Sequence, residues 1–130
     1  MPLKVQIVTP EREVLVEDQA SFVLVRTLNG EMGLLPGIAP QLAALGTGPV
    51  KIESPSGVRR MLVDGGFLIV KEDRCTILAE YAVLPDEVDA ETVSREIEEL
   101  RRRIETEVEV EALRKQLARR EALHAIIQIG

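Results

Sequence analysis

"LPDEVDAETVSREIEEL", residues 84–100, is where the chain changes its period. Val93, Ile97 and Leu100 are spaced four and three apart, and Ile104 continues the series, which is the stripe of one helical face. Asp89, just after Pro85, has the short carboxylate that suits a helix N-cap. Pro85 is also the last breaker. All seven prolines and all glycines but Gly130, of nine, lie at or before it. Residues 1–84 therefore read as strands and turns, and residues 85–130 as helices.

Upstream of Pro85 the pattern has period two. "LKVQIV" (3–8) places Leu3, Val5 and Ile7 on one face, "EVLVE" (13–17) places Val14 and Val16, and "VKIES" (50–54) places Val50 and Ile52. "SFVLV" (21–25) and "GFLIV" (66–70) are apolar throughout, as strands are when covered on both sides, in a sandwich or against a partner. "SPSG" (54–57) and "KEDR" (71–74) have hairpin-loop lengths, and "DGG" (64–66) reads as a tight turn or bulge between strands. Many short strands without intervening helices predict a small antiparallel β-sandwich or barrel.

Downstream, a second helix is predicted from about Glu111 to Ile127. Leu113, Leu117, Ala118, Ala122 and Ala125 face inward, and Glu111 pairs with Lys115 one turn on. "ETEVEV" (105–110) interrupts the stripe between the two helices. The fold class is a β-sandwich followed by an antiparallel two-helix hairpin. A hairpin of about 45 residues buries little on its own, so its position should depend on what it docks against.

Composition narrows the chemistry. The chain has 130 residues and a net charge of −6, with two Phe, one Tyr and no Trp. Base stacking and a nucleic-acid partner are disfavoured. "MPLKVQIVTP" lacks the apolar stretch of a signal peptide, and no apolar run reaches membrane-spanning length, so a soluble cytosolic protein is expected. One Cys (Cys75) and one His (His124) cannot complete a zinc site, and Cys75 reads as a buried strand residue. His124, far from the glycine-rich turns, reads as a solvated helix residue. There is no GxxxxGK[ST] phosphate loop, and no cofactor is expected. Residues 86–99 hold seven acids against Arg95, and the next stretch is basic, with Arg101, Arg102, Arg103, Arg114, Lys115, Arg119 and Arg120.

One segment mixes breakers with apolar residues: "NGEMGLLPGIAP" (29–40), with Gly30, Gly33, Gly37, Pro36 and Pro40 around Met32, Leu34, Leu35 and Ile38. Together with "QLAAL" and the later "VDGGFLIV" (63–70), it resembles the epsilon subunit of bacterial and chloroplast F-type ATP synthases. That family carries a GE-x-G-ILPGHAP-LL segment and a downstream GGF strand. The likeness covers essentially the whole chain, including the opening "VQIVTPE".

The resemblance implies about ten strands, then two helices, and a non-catalytic rotor subunit held peripherally on the cytoplasmic face of the cell membrane through its complex. Its partners would be the gamma subunit, the ring of c subunits and, through the hairpin, the alpha/beta catalytic head, where the helices inhibit ATP hydrolysis. The resemblance implies c-ring contact at Glu31 and Met32, and gamma contact at Leu35, Ile38 and Gln41. Arg114, Lys115, Arg119 and Arg120 would meet acidic loops of beta. Two departures stand out. Ile38 replaces the family's histidine, so only an apolar contact carries over. Some members bind ATP through an [IL]DxxRA motif, which here reads "VDAETV" (88–93): Asp89 matches, but Thr92 and Val93 stand in place of Arg and Ala. The alternatives are the same subunit acting mainly as an ATP sensor, or an unrelated β-sandwich adaptor or hydrolase.

Overall fold

The computed structural model describes residues 2–106 and 110–129, in two compact units, Met1–Leu84 and Pro85–Gly130. The first unit has seven strands: β1 (Leu3–Val8), β2 (Glu13–Ala20), β3 (Phe22–Thr27), β4 (Gly30–Leu34), β5 (Gln41–Ser54), β6 (Gly57–Lys71) and β7 (Arg74–Val83). They form one sheet in the order β2-β1-β7-β6-β5-β3-β4, curled into a sandwich. Neighbours are antiparallel except β1 and β7, which run parallel from Lys4↔Arg74 to Val8↔Leu78. The resemblance implies about ten strands, and the lower number here comes from two long ones that glycines do not divide: Gly46, Gly48, Gly65 and Gly66 are not strand boundaries. Instead they lie inside β5 and β6, which at 14 and 15 residues run unbroken past them.

"DGG" is accordingly no turn between strands. β6 keeps its register with β7 through it, from Asp64↔Tyr81 to Gly66↔Ala79, while Gly65 and Gly66 take φ of +76° and +116°. The true hairpin turns are at Pro55–Ser56 and at Glu72–Asp73, as the loop lengths indicate.

The period-two pattern builds one core. Leu3, Val5 and Ile7 of β1 pack with Val23 and Val25, Leu34, Val50 and Ile52, Met61, Val63, Leu68, Val70, Cys75 and Ile77. β2 departs from its expected phase: Leu15 is buried and Val16 is exposed, since the β1–β2 register shifts at each end of their pairing. Val14 keeps a partly buried place against the core.

In the second unit, Pro85–Glu87 forms a single 3-10 turn, followed by α1 (Ala90–Thr106) and α2 (Val110–Ile129). Val93, Ile97 and Leu100 are buried on α1. On α2 the buried residues are Leu113, Leu123 and Ile126, with Leu117 and Ala122 half-buried; Ala118 and Ala125, expected inward, face outward. Short alanines gain little from burial, and the larger Leu123 and Ile126 take the inner positions instead. The helices run antiparallel, joined by Arg120–Glu96 and by Arg101–Glu121 at 3.3 Å. The side chains of 105–110 and of Glu111 lie outside those described, and with them the expected interruption of the stripe and the Glu111–Lys115 pair.

Candidate functional site

β4 and the loop after it are shaped by three backbone requirements. A Cβ on Gly33 would stand 3.0 Å from the Phe22 ring, so the strand passes closely over that ring. Leu35–Ile38 is a type II turn, with Pro36 supplying φ at its second position and Gly37 at +84° in its third. The Ile38 N–H donates to the Leu35 carbonyl at 3.2 Å and closes it. The Gly37 N–H, which such a turn leaves unused, donates to Oδ1 of Asp73 at 2.7 Å.

This rigid frame sorts the segment's side chains. Leu34 is fully buried, whereas Leu35 is 58% exposed. Met32 opposes Val25, and both Met32 and Ile38 pack partly buried against the core. Gln41 opposes the core residue Val70 and is half-buried. Glu31, opposite Arg26, is exposed. Of the five residues assigned from the sequence to this surface, Glu31 and Leu35 are exposed, and the other three are half-buried. Leu28, in the β3–β4 turn near Glu31, is 71% exposed as well, and a single apolar residue in a turn gives no periodic signal in the sequence.

A second surface lies across β5, β6 and β7. Directly opposed residues of neighbouring strands share a face, and here the opposed pairs are Leu42↔Ile69, Ala44↔Phe67 and Phe67↔Leu78. Leu42 is 74% exposed and Phe67 55%, and Ile69 and Leu78 are exposed too. "GFLIV" thus has one face in the core, through Leu68 and Val70, and one in solvent. Its unbroken apolarity was the signal. At one end of this face sit Lys71 and Arg74, opposed to each other, with Lys4 opposite Arg74. Contiguous exposed apolar residues with a charged border mark a protein contact surface.

On the hairpin, Asp89 occupies the N-cap of α1. It accepts from the Thr92 N–H at 3.3 Å and from the Thr92 hydroxyl at 2.7 Å. The Thr92 hydroxyl bond, with backbone donors and Arg95 nearby, holds its carboxyl below the usual carboxylate value of 3.8. Val93 is buried. Arg114 and Lys115 are exposed, Arg119 and Arg120 half-buried, and Arg120 is engaged by Glu96. His124 is half-buried instead of solvated. It lines a groove of about 550 Å³ with Ser94, Ile97, Glu98, Arg101 and Glu121. Cys75 is fully buried, and burial pushes its thiol up to about 12, which leaves it unreactive. Among the described residues no helix is long and apolar enough to cross a membrane, and no acid, His and Cys side chains gather as a metal site.

Residues 2–85 match the family model described as "ATP synthase, Delta/Epsilon chain, beta-sandwich domain". The chain is 40% identical over 103 residues to the ATP synthase epsilon chain of Brevibacillus brevis, covering 78% of this chain and 77% of that one. It is also 40% identical over 95 residues to the sodium ion specific ATP synthase epsilon chain of Propionigenium modestum, covering 73% and 69%. In fold it is similar to a chain of the Euglena gracilis mitochondrial ATP synthase, solved with its OSCP, F1 and c-ring. The TM-score is 0.78 at 23% identity, over 98% of this chain and 80% of that one.

Proposed function

The chain belongs to the ATP synthase delta/epsilon family, as an epsilon chain and so a non-catalytic stalk subunit of a rotary ATP synthase, and from that premise we propose how its surfaces divide the work. The apolar face of Leu42, Phe67, Ile69 and Leu78, extended by Leu35, docks on the gamma subunit. The β3–β4 end, with Leu28 and Glu31, meets the polar loops of the c ring. The hairpin acts on the catalytic head and restrains ATP hydrolysis, through Arg114 and Lys115 first, with Arg119 and Arg120 beside them. The whole sits peripherally on the cytoplasmic face of the membrane, held there by the complex.

The observation that carries this reading is the exposed apolar face, in a chain whose relatives are ATP synthase epsilon chains. A stalk subunit must grip its partner firmly enough to turn with it, and apolar surface removed from water supplies about 25 cal/mol per Å². The c-ring end is more polar, as suits a contact with hydrophilic loops. ATP sensing is the weaker reading. Thr92, in place of the motif's Arg, is bonded to Asp89, and in the interhelical groove Arg101 is held by Glu121 with Glu98 close by. A phosphate there would face two carboxylates.

Co-purification with gamma tests the assignment. Phe67→Ser should leave the sandwich folded, since Phe67 points to solvent, and weaken gamma binding at least about tenfold, the loss of an interface anchor worth about 1.4 kcal/mol or more. Unchanged affinity would remove this face from the gamma interface.

A further inference from the structure

The β6–β7 turn carries backbone strain that glycine would relieve. Glu72 and Asp73 sit at φ of +51° and +59°, the left-handed pair of a two-residue type I′ hairpin, where Asn-Gly or Gly-Gly would be at ease. Side chains bearing a Cβ are costly there, least so for Asp. Strain kept in a turn invites a search for what it achieves. Here it points the Asp73 carboxylate at the Gly37 N–H, 2.7 Å away, while the Asp73 carbonyl accepts the Lys4 N–H at 2.8 Å. One residue thereby joins β1, the β6–β7 turn and the Leu35–Ile38 turn.

The bond falls on a decisive atom. Type I and type II turns share their closing hydrogen bond and differ by a flip of the peptide between their two central residues, here Pro36 and Gly37. The flip decides which side the Gly37 N–H points to. A side-chain oxygen accepting that N–H favours one orientation. Glycine at 37 permits the type II form, and Asp73 selects it.

We infer that Asp73 is a positioning residue for the gamma-contacting loop: it locks the Pro36–Gly37 peptide so that Leu35 is presented outward while Ile38 stays against the core. The inference rests on the reading that Leu35 meets gamma. A pre-set loop loses less freedom on docking than one that must choose between turn forms.

Two substitutions in the full-length chain separate the tie from the turn. Asp73→Gly keeps the left-handed turn, indeed eases it, but removes the acceptor. Asp73→Asn keeps both the turn and an acceptor oxygen. Amide hydrogen exchange by NMR should show Gly37 exchanging about tenfold faster in Asp73→Gly, the equivalent of about 1.4 kcal/mol. It should stay within about twofold of the parent in Asp73→Asn, and β6 and β7 amides should be unchanged in both. Gamma affinity should fall in Asp73→Gly and be retained in Asp73→Asn. Unchanged Gly37 exchange in Asp73→Gly would overturn the tie. If Leu35→Ala weakens gamma binding and Asp73→Gly does not, the positioning role is overturned while the contact stands; if neither does, the contact reading itself fails and takes the positioning role with it.

Discussion

A Cβ on Gly66 would stand 2.0 Å from the Leu78 carbonyl oxygen and 2.8 Å from the Ala79 Cα, both backbone atoms that cannot step aside. The φ of +116° adds a conformation that side chains avoid. Gly66→Ala should therefore destabilise the sandwich by about 3 kcal/mol or more, read as a lower urea midpoint. Gly30→Ala, at φ +120° with open space around it, should cost only the backbone term. In the sequence, the composition of "VDGGF" marks something unusual, but only the register with β7 shows the strand running on through it, because the neighbour that forbids a side chain is 12 residues away. Asp89 was more legible, since an N-cap is decided by residues within one turn of it. Its lowered value sets the sign of a pH effect. The carboxylate's contribution is complete above the unfolded value near 3.8 and is lost as pH falls through the lower folded value. Helix content measured by circular dichroism should drop across that acid range in the parent and less so in Asp89→Asn.

At the scale of elements, the hairpin is held by charge as well as by its apolar stripe. Glu96–Arg120 and Arg101–Glu121 cross from α1 to α2, and any separation of the helices must break both. Exposed pairs contribute about 0–1 kcal/mol each, and the half-buried Glu96–Arg120 pair belongs near the top of that range. A double-mutant cycle with Glu96→Gln and Arg120→Gln should return a coupling of about 0.5–1 kcal/mol in thermal melts of the isolated chain, shrinking at high salt. The stripe of α1 was readable because its period is local. The α2 face was not: Ala118 and Ala125 fit a helical stripe as well as Leu123 and Ile126 do, and the choice is made by the opposing helix. The exposed face of β5–β7 falls between these cases. Its apolarity was plain in "GFLIV", but whether a sister sheet or another protein covers it depends on how the sheet curls.

Over the whole molecule, the sandwich core from Leu3 to Ala82 lies within the first unit, Met1–Leu84, so the hairpin proposed as a regulator should be severable from it. A chain ending at Leu84 should unfold cooperatively and still bind gamma; a molten fragment would place part of the core in the helices. On the assembled enzyme, the hairpin's basic residues then divide in two. Arg114 and Lys115 are exposed, so under the proposed role replacing both by Ala should weaken contacts with beta, raising ATP hydrolysis and reducing the salt sensitivity of the remaining inhibition. Arg120 is bound to Glu96 across the hairpin, so under the proposed inhibition Arg120→Ala removes an attraction within the hairpin as well as one toward beta, and should raise hydrolysis less. Alanine is a good helix former, so lost helix would not confound either result. A shift of about 1.4 kcal/mol changes a two-state ratio tenfold, which a hydrolysis assay on purified complex resolves easily. If Arg120→Ala activated hydrolysis as strongly as the Arg114/Lys115 pair, its partner in the inhibited enzyme would be beta alone. If neither did so while removal of residues 86–130 did, the hairpin would inhibit by apolar packing and bulk, and the basic run would serve only to keep its surface in water.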